Sequence, residues 1–178
     1  MRIFLDPGHG GVDCGAVGNV HLEKDLTLLW TRFIDWRIAH QEGSATQVTR
    51  DSDMFVPLSD RVKMANSGGF DPDCFVSIHC NSNDGPPAEG FEIFHFPSSS
   101  GGRELATLIN DRWPHLPNRG VKTANYAVLR ETKCPAVLIE LGFINNPREE
   151  RRLTDVSFMH DAVEAIVEGI FKFCYGRR

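Results

Sequence analysis

The chain of 178 residues contains no run approaching the roughly 18 consecutive apolar residues of a membrane-spanning helix. Nor does it open with a basic segment followed by an apolar stretch, the pattern of a secretory signal peptide. As written it is expected to lack both a transmembrane segment and a leader, and to be synthesised in the cytoplasm. Positive charge is scarce as well: 19 Lys and Arg stand against 24 Asp and Glu, for a formal net charge of −5 and a pI near 5.8. A protein held to a polyanion by counterion release needs a basic face, so nucleic acid is not an expected partner.

Cysteine pairs at metal spacing are missing too. Cys14, Cys74, Cys80, Cys134 and Cys174 are odd in number and form no Cys-x-x-Cys, which argues against a thiolate zinc ribbon and against a disulfide framework. They are expected to be reduced thiols, most of them packed. No Gly-x-Gly-x-x-Gly and no Gly-Lys-Ser/Thr is present, so Gly8, Gly10 and Gly11 do not read as a nucleotide loop. Ser77 lacks the Gly-x-Ser-x-Gly elbow of an α/β hydrolase. Cys80 as a nucleophile, with His79 or His95 as its base, stays open at this point. There is no internal repeat, low-complexity tract or linker.

What is present reads as an ordinary soluble globule, 41% hydrophobic and 24% charged, expected as one domain over 1–178 and as a monomer. Arg2 to Asp6 is a short buried strand ended by Pro7-Gly8. Leu22, Leu26, Leu29, Phe33 and Trp36 recur at three and four, the stripe of a helix running to about His40, with Glu23 in its first turn. Gln47 to Arg50 reads as a strand. Pro57 opens a helix through Leu58, Val62 and Ala65 that Gly68-Gly69 stops. Cys74 to Ile78 reads as a central strand with His79 at its end. Gly90 to Phe96 reads as another strand, antiparallel to its predecessor, and Arg103 to Trp113 as a helix. Tyr126 to Leu129 and Ala136 to Ile139 read as strands, the second leading into Glu140. Asn146-Pro147 caps a short helix, and Ser157 to Cys174 forms a long one with Phe158, Ala162, Ala165, Ile166, Gly169, Ile170 and Phe173 on one stripe. The order implies a single-domain α/β fold, a mixed, mostly parallel twisted sheet of about six strands with helices on both faces.

In such sheets ligands gather beyond the carboxyl ends of the strands. His9, His79 and Glu140 all follow strands, and Glu23 opens a helix, so four titratable residues converge on one rim. Two imidazoles and a carboxylate, His9, Glu23 and His79, are the ligand set of a catalytic zinc with its fourth position left for water. Glu140, held by the buried run Val137-Leu138-Ile139, can move the water's proton without ligating the metal. Separations of 14 and 56 residues match no compact metal motif, so spacing alone carries little.

The blocks Ile3-Phe4-Leu5-Asp6-Pro7-Gly8-His9-Gly10-Gly11 with Gly15-Ala16, Leu22-Glu23-Lys24-Asp25-Leu26, Leu58-Ser59-Asp60-Arg61-Val62 with Ala65-Asn66, Ser77-Ile78-His79-Cys80-Asn81, and Pro135 to Phe143 with Asn146-Pro147 follow one another along nearly the whole chain. Together they resemble the zinc-dependent N-acetylmuramoyl-L-alanine amidases of the amidase-3 type. The resemblance implies hydrolysis of the amide joining N-acetylmuramic acid to L-alanine in peptidoglycan. It puts one zinc ion on His9, Glu23 and His79, puts the catalytic role on Glu140, and makes Asn81 and Arg119 candidate substrate contacts. Cys14 and Cys80 depart from the small residues expected there, and a thiol beside zinc is a competing ligand. Only 61 positions separate His79 from Glu140, which leaves little room for an inhibitory insertion. The pattern is that of a phage endolysin freed to the cell wall by a separate holin-type system, or else of a trimmed autolysin catalytic domain, without a separate wall-binding domain. The alternatives are a zinc peptidase acting on the stem peptide and a non-catalytic wall-binding relative.

Overall fold

A computed structural model describes residues 1–67, 69–114 and 117–176. Six strands, β1 (Arg2–Pro7), β2 (Ala45–Val48), β3 (Cys74–Asn81), β4 (Phe91–His95), β5 (Asn118–Thr123) and β6 (Ala136–Phe143), form one sheet in the order β2-β1-β3-β6-β4-β5. β2, β1, β3 and β6 run parallel. β4 is antiparallel to β6, and β5 is parallel to β4. Insertion of β6 between β3 and β4 makes the centre of the sheet buried on both sides, which is why the cores of β3 and β6 read as continuous apolar runs and not as alternation.

Side chains leave the sheet with period two, and the two faces have different covers. Ile3, Leu5, Val76, Ile78, Val137 and Ile139 face α1 (Glu23–Ala39), α3 (Ser100–Asn110) and α6 (Val156–Tyr175). Phe4, Phe75, Ala136 and Leu138 face α2 (Leu58–Ser67) and the single turn α4 (Ala127–Arg130), through Val62, Ala65, Val128 and Leu129. α5 (Pro147–Arg152) leads into α6 and is capped by Asn146 accepting from the Arg148 N–H. On the α2 side the apolar pattern stops towards the carboxyl ends. There Asp6 pairs with Ser77, His79 with Glu140, and Glu140 with Glu92, a polar row crossing four neighbouring strands.

Four sequence expectations are corrected. Tyr126 to Leu129 is not a strand: Tyr126 is the N-cap of α4, and Val128 and Leu129 are buried from a helical turn. Four apolar residues carry too little length to choose between helix and strand. The missing strand is β5, whose Asn-Arg-Gly-Val-Lys-Thr has the polarity of a loop because it is a half-exposed edge. β4 does run opposite to β3, but its neighbour is β6. In α1 the sheet-facing residues are Leu26, Trp30, Ile34 and Ile38, with Thr27 and Thr31 between them, while Leu29, Phe33 and Trp36 are 37%, 46% and 60% exposed. Both stripes have helical spacing. The choice fell to the one whose small threonines let the helix approach β1 and β3, and whose Trp30 indole donates to the Leu153 carbonyl at 3.0 Å. The predicted α6 stripe is buried throughout. Of the Gly68-Gly69 stop to α2, Gly68 lies outside the described residues.

Candidate metal centre

His9 leaves β1 on a backbone with φ of 61°, a conformation that costs a non-glycine residue energy and needs support. Buried arginines supply it. Arg61 donates to the carbonyls of His9 (2.6 Å) and Pro7 (2.7 Å) and to the Asp6 carboxylate (2.6 Å). Arg50 donates to the carbonyls of Pro7 (3.1 Å) and Gly8 (2.8 Å), and the Thr27 hydroxyl adds a second donor to Gly8 at 2.8 Å. Three successive carbonyls turn inwards, and the His9 ring turns out over the sheet edge. Sequence reading passed over Arg50 and assigned Arg61 no role, although Arg61 lies in one of the blocks carrying the family resemblance.

Glu23 enters from the first turn of α1 and is almost fully buried. Its Oε2 lies 3.1 Å from His9 Nε2 and its Oε1 3.0 Å from His79 Nδ1. Backbone N–H groups of Ala16 (2.8 Å) and Cys80 (3.0 Å) donate to the same carboxylate. Burial opposes its ionisation, but the hydrogen bonds and charges of His79 and His9 hold it well below the usual carboxylate range. His9 Nδ1 sits 3.0 Å from Asp13 Oδ2, which puts a proton on Nδ1 and turns Nε2 towards Glu23. Burial works against the His9 cation, yet Glu23 and Asp13 outweigh it and raise its pKa above the usual histidine value.

Two glycines make the cluster possible. A Cβ on Gly8 would stand 2.2 to 2.6 Å from three atoms of the His79 ring. One on Gly15, whose φ is +66°, would meet Glu23 Oε2 at 2.6 Å and His9 Cδ2 at 2.7 Å. Among the described residues His9, Glu23 and His79 are the group of three whose ligand atoms all lie within 4.8 Å of one another. Tetrahedral zinc bonds of about 2.0 to 2.2 Å put donors a little over 3 Å apart, so this donor set fits such an ion after small movements.

Glu140 lies opposite His79 in the register of β3 and β6, within both strands and not beyond their ends. Its Oε2 is buried without a hydrogen-bond partner among the described residues. Burial, and then the charges of Glu23 and Glu92, push its pKa well above the usual value. A cavity of about 550 Å³ opens over these groups, with His9, His79 and Glu140 on one side and Phe55, Leu58 and Tyr126 on the other.

Asn81 and Arg119 do not join this cluster. Both bind Glu92, Asn81 through Nδ2 at 2.6 Å and Arg119 through Nε at 2.8 Å, and Lys122 joins them. Burial opposes the Glu92 charge, but Lys122 and Arg119 keep its pKa below the usual range. Glu92 and Lys122 were missed by sequence reading, since nothing in a single strand marks a glutamate that will face another across the sheet. The thiols stand apart. Cys80 points into the opposite core, where burial raises its pKa far above the thiol value, and the Cys14 thiol donates to the Gly15 carbonyl. That leaves Cys80 no role as ligand or nucleophile.

A family profile described as N-acetylmuramoyl-L-alanine amidase, of the amidase-3 type, matches residues 3–172. The probable cell wall amidase LytH of Staphylococcus saprophyticus is 37% identical over 174 residues, covering 94% of this chain and 56% of that protein. The endolysin of Bacillus phage SPP1 is 37% identical over 177 residues, covering 94% of this chain and 64% of that protein. The chain therefore spans about three fifths of the length of these relatives. Among solved structures, the N-acetylmuramoyl-L-alanine amidase of Clostridium difficile 630 superposes with a TM-score of 0.94 at 32% identity, covering 99% of this chain and 98% of that one. The catalytic domain of CwlV from Bacillus (Paenibacillus) polymyxa gives 0.89 at 31% identity, with 97% of each chain covered.

Proposed function

The chain belongs to the N-acetylmuramoyl-L-alanine amidase family of the amidase-3 type, and from that premise we propose that it hydrolyses the amide between N-acetylmuramic acid and L-alanine in peptidoglycan. One zinc ion is held by His9, Glu23 and His79, and Glu140 carries the proton. The observation that supports this most directly is the convergence of two imidazoles and a buried carboxylate on a cavity shared with a second carboxyl group, one of whose oxygens has no partner among the described residues. When bound there, zinc supplies Lewis acidity and a water-derived nucleophile at neutral pH. The protein supplies the rest. Asp13 fixes the tautomer of His9, and the backbone N–H groups of Ala16 and Cys80 fix both oxygens of Glu23.

Glu140 takes the proton of the attacking water and delivers it to the departing alanine nitrogen. Burial, and then the charges of Glu23 and Glu92, raise its pKa above the ordinary carboxyl value, which favours its holding the proton between the two halves of that task. Arg119 contacts substrate, and Asn81 acts by holding Glu92. The place of action is the cell wall. No helix among the described residues is long and apolar enough to cross a membrane.

The rival reading, a zinc peptidase cutting within the stem peptide, predicts different products. Digestion of purified sacculi with zinc-loaded protein should release peptides beginning with L-alanine and leave the glycan intact. New amino termini elsewhere in the stem would sink the amidase assignment. Metal analysis of the same preparation should return one zinc per chain. A non-catalytic relative has no need of all four residues, and the convergence of His9, Glu23 and His79 with Glu140 on the same cavity supports the enzyme.

A further inference from the structure

Beyond Glu140 the polar row continues to an edge that the hydrolytic chemistry does not use. Glu92 is buried at 4% exposure, yet two cations from β5, Arg119 and Lys122, close on its one oxygen Oε2 while Asn81 takes the other. A single cation with Asn81 would satisfy a buried carboxylate; the second leaves a surplus positive charge. Neither cation is buried, the side chains being 40% and 37% exposed. Arg119 spends only its Nε on Glu92, lies over the Phe143 ring at 5.1 Å, and has both terminal nitrogens without a partner among the described residues. Lys122 stands over Phe94, whose ring packs edge-on against Tyr126 on the cavity wall, so the cationic edge is continuous with the site.

Resting on the amidase reading, we propose that Arg119 and Lys122 form an anchoring site for the free carboxylate on the second residue of the stem peptide, held ready by Glu92. A guanidinium with an open fork is matched to a carboxylate, and a buried anion behind it fixes its position before substrate arrives. The distance selects the residue. Glu140 and Glu92 sit opposite each other on strands about 4.8 Å apart. The 2.8 Å ion pair is made by Nε, and the terminal nitrogens lie beyond it, so the fork stands roughly 8 to 10 Å from Glu140. An extended peptide advances about 3.5 Å per residue, so a carboxylate two residues past the scissile amide reaches it and one on the first residue does not. The peptide then runs over β6, β4 and β5, and the glycan leaves on the side of β1.

The test uses zinc-loaded enzyme and two synthetic muropeptides that differ only in whether the α-carboxyl of the second residue is free or a carboxamide. The free acid should be cut with a kcat/KM about 10 to 100-fold higher, chiefly through KM, as expected of a charge-assisted hydrogen bond. Arg119→Gln and Lys122→Met should each lower the rate on the free acid and shrink that preference, with Arg119→Lys intermediate because it keeps a charge for Glu92 and loses the fork. A merely structural role would slow both substrates alike and leave the ratio intact, which would overturn the proposal. So would equal cutting of both substrates by the unaltered enzyme. If neither is cut between the lactyl group and alanine, the amidase reading falls and takes this site with it.

Discussion

Glu140 and Glu92 stand directly opposite each other on neighbouring antiparallel strands, and the fold treats the two carboxyl groups in contrary ways. Glu92 is kept ionised by Arg119 and Lys122 and has every oxygen engaged. Glu140 is buried beside it, with Oε2 unpartnered among the described residues and its pKa raised. One carboxylate is thereby fixed as a structural anion, and the other has the environment of the proton carrier proposed above.

Replacing Glu140 by Gln should therefore remove proton transfer and little else. Activity on sacculi is expected to fall about 10² to 10⁴-fold, with zinc content unchanged. Product release and metal analysis of the same sample decide the point. Undiminished turnover would assign the proton to another group.

The contact between Gly8 and the His79 ring gives a second prediction. Gly8→Ala places a methyl group 2.2 to 2.6 Å from three ring atoms, so the ring must move away from Glu23. Zinc affinity, measured by competition with a chelator, is expected to drop about 10 to 100-fold, the range seen when a ligand loses its support. Circular dichroism should report a folded chain. His79→Ala removes the ligand itself and is expected to lose both zinc and turnover.

The phase of α1 can be tested by stability. Trp30 is fully buried, and Trp36 is 60% exposed although it lies on a regular apolar stripe. Trp30→Ala should cost about 3 to 5 kcal/mol in denaturant unfolding. Trp36→Ser should stay within about 0.5 kcal/mol. The reverse order would restore the phase expected from sequence.

Glu150 gives a pH prediction. The backbone N–H groups of Asn19, Val20 and His21 donate to it, along with the Asn19 amide. Burial alone would raise its pKa, but these donors lower it from 4.5 to about 2. A depressed carboxyl pKa stabilises the fold fully above the unfolded value and loses that contribution as pH falls through the folded one. The unaltered protein should therefore melt above Glu150→Gln at neutral pH, with the gap closing between about 4.5 and 2. A gap that widens on acidification would contradict the assignment.

The convergence of His9, Glu23 and His79, with Glu140 on the same cavity, was legible in the sequence. His9 behind an apolar strand, Glu23 opening a helix, and His79 and Glu140 on buried runs are local signals, because each residue's own neighbours reveal the element that holds it. The α/β class followed from the same periodicities. Residues whose environment is made by distant segments were less legible. β5 looks like a loop until β4 supplies its ladder, and Tyr126 to Leu129 is too short for its own pattern to decide. The two apolar stripes of α1 are equivalent until β1, β3 and Leu153 choose between them.

By itself, then, the sequence determined the class of fold and singled out His9, Glu23, His79 and Glu140 as candidates, since these readings rest on residue chemistry and on periods of two and 3.6 written along one element. Only the tertiary structure decided that β6 lies between β3 and β4. That placement sets Glu140 between His79 and Glu92, strands 61 and 48 residues away in the chain, and turns Arg119 and Lys122 towards the same row. Strand order is a property of the packed sheet, and no single strand encodes which partner will lie beside it.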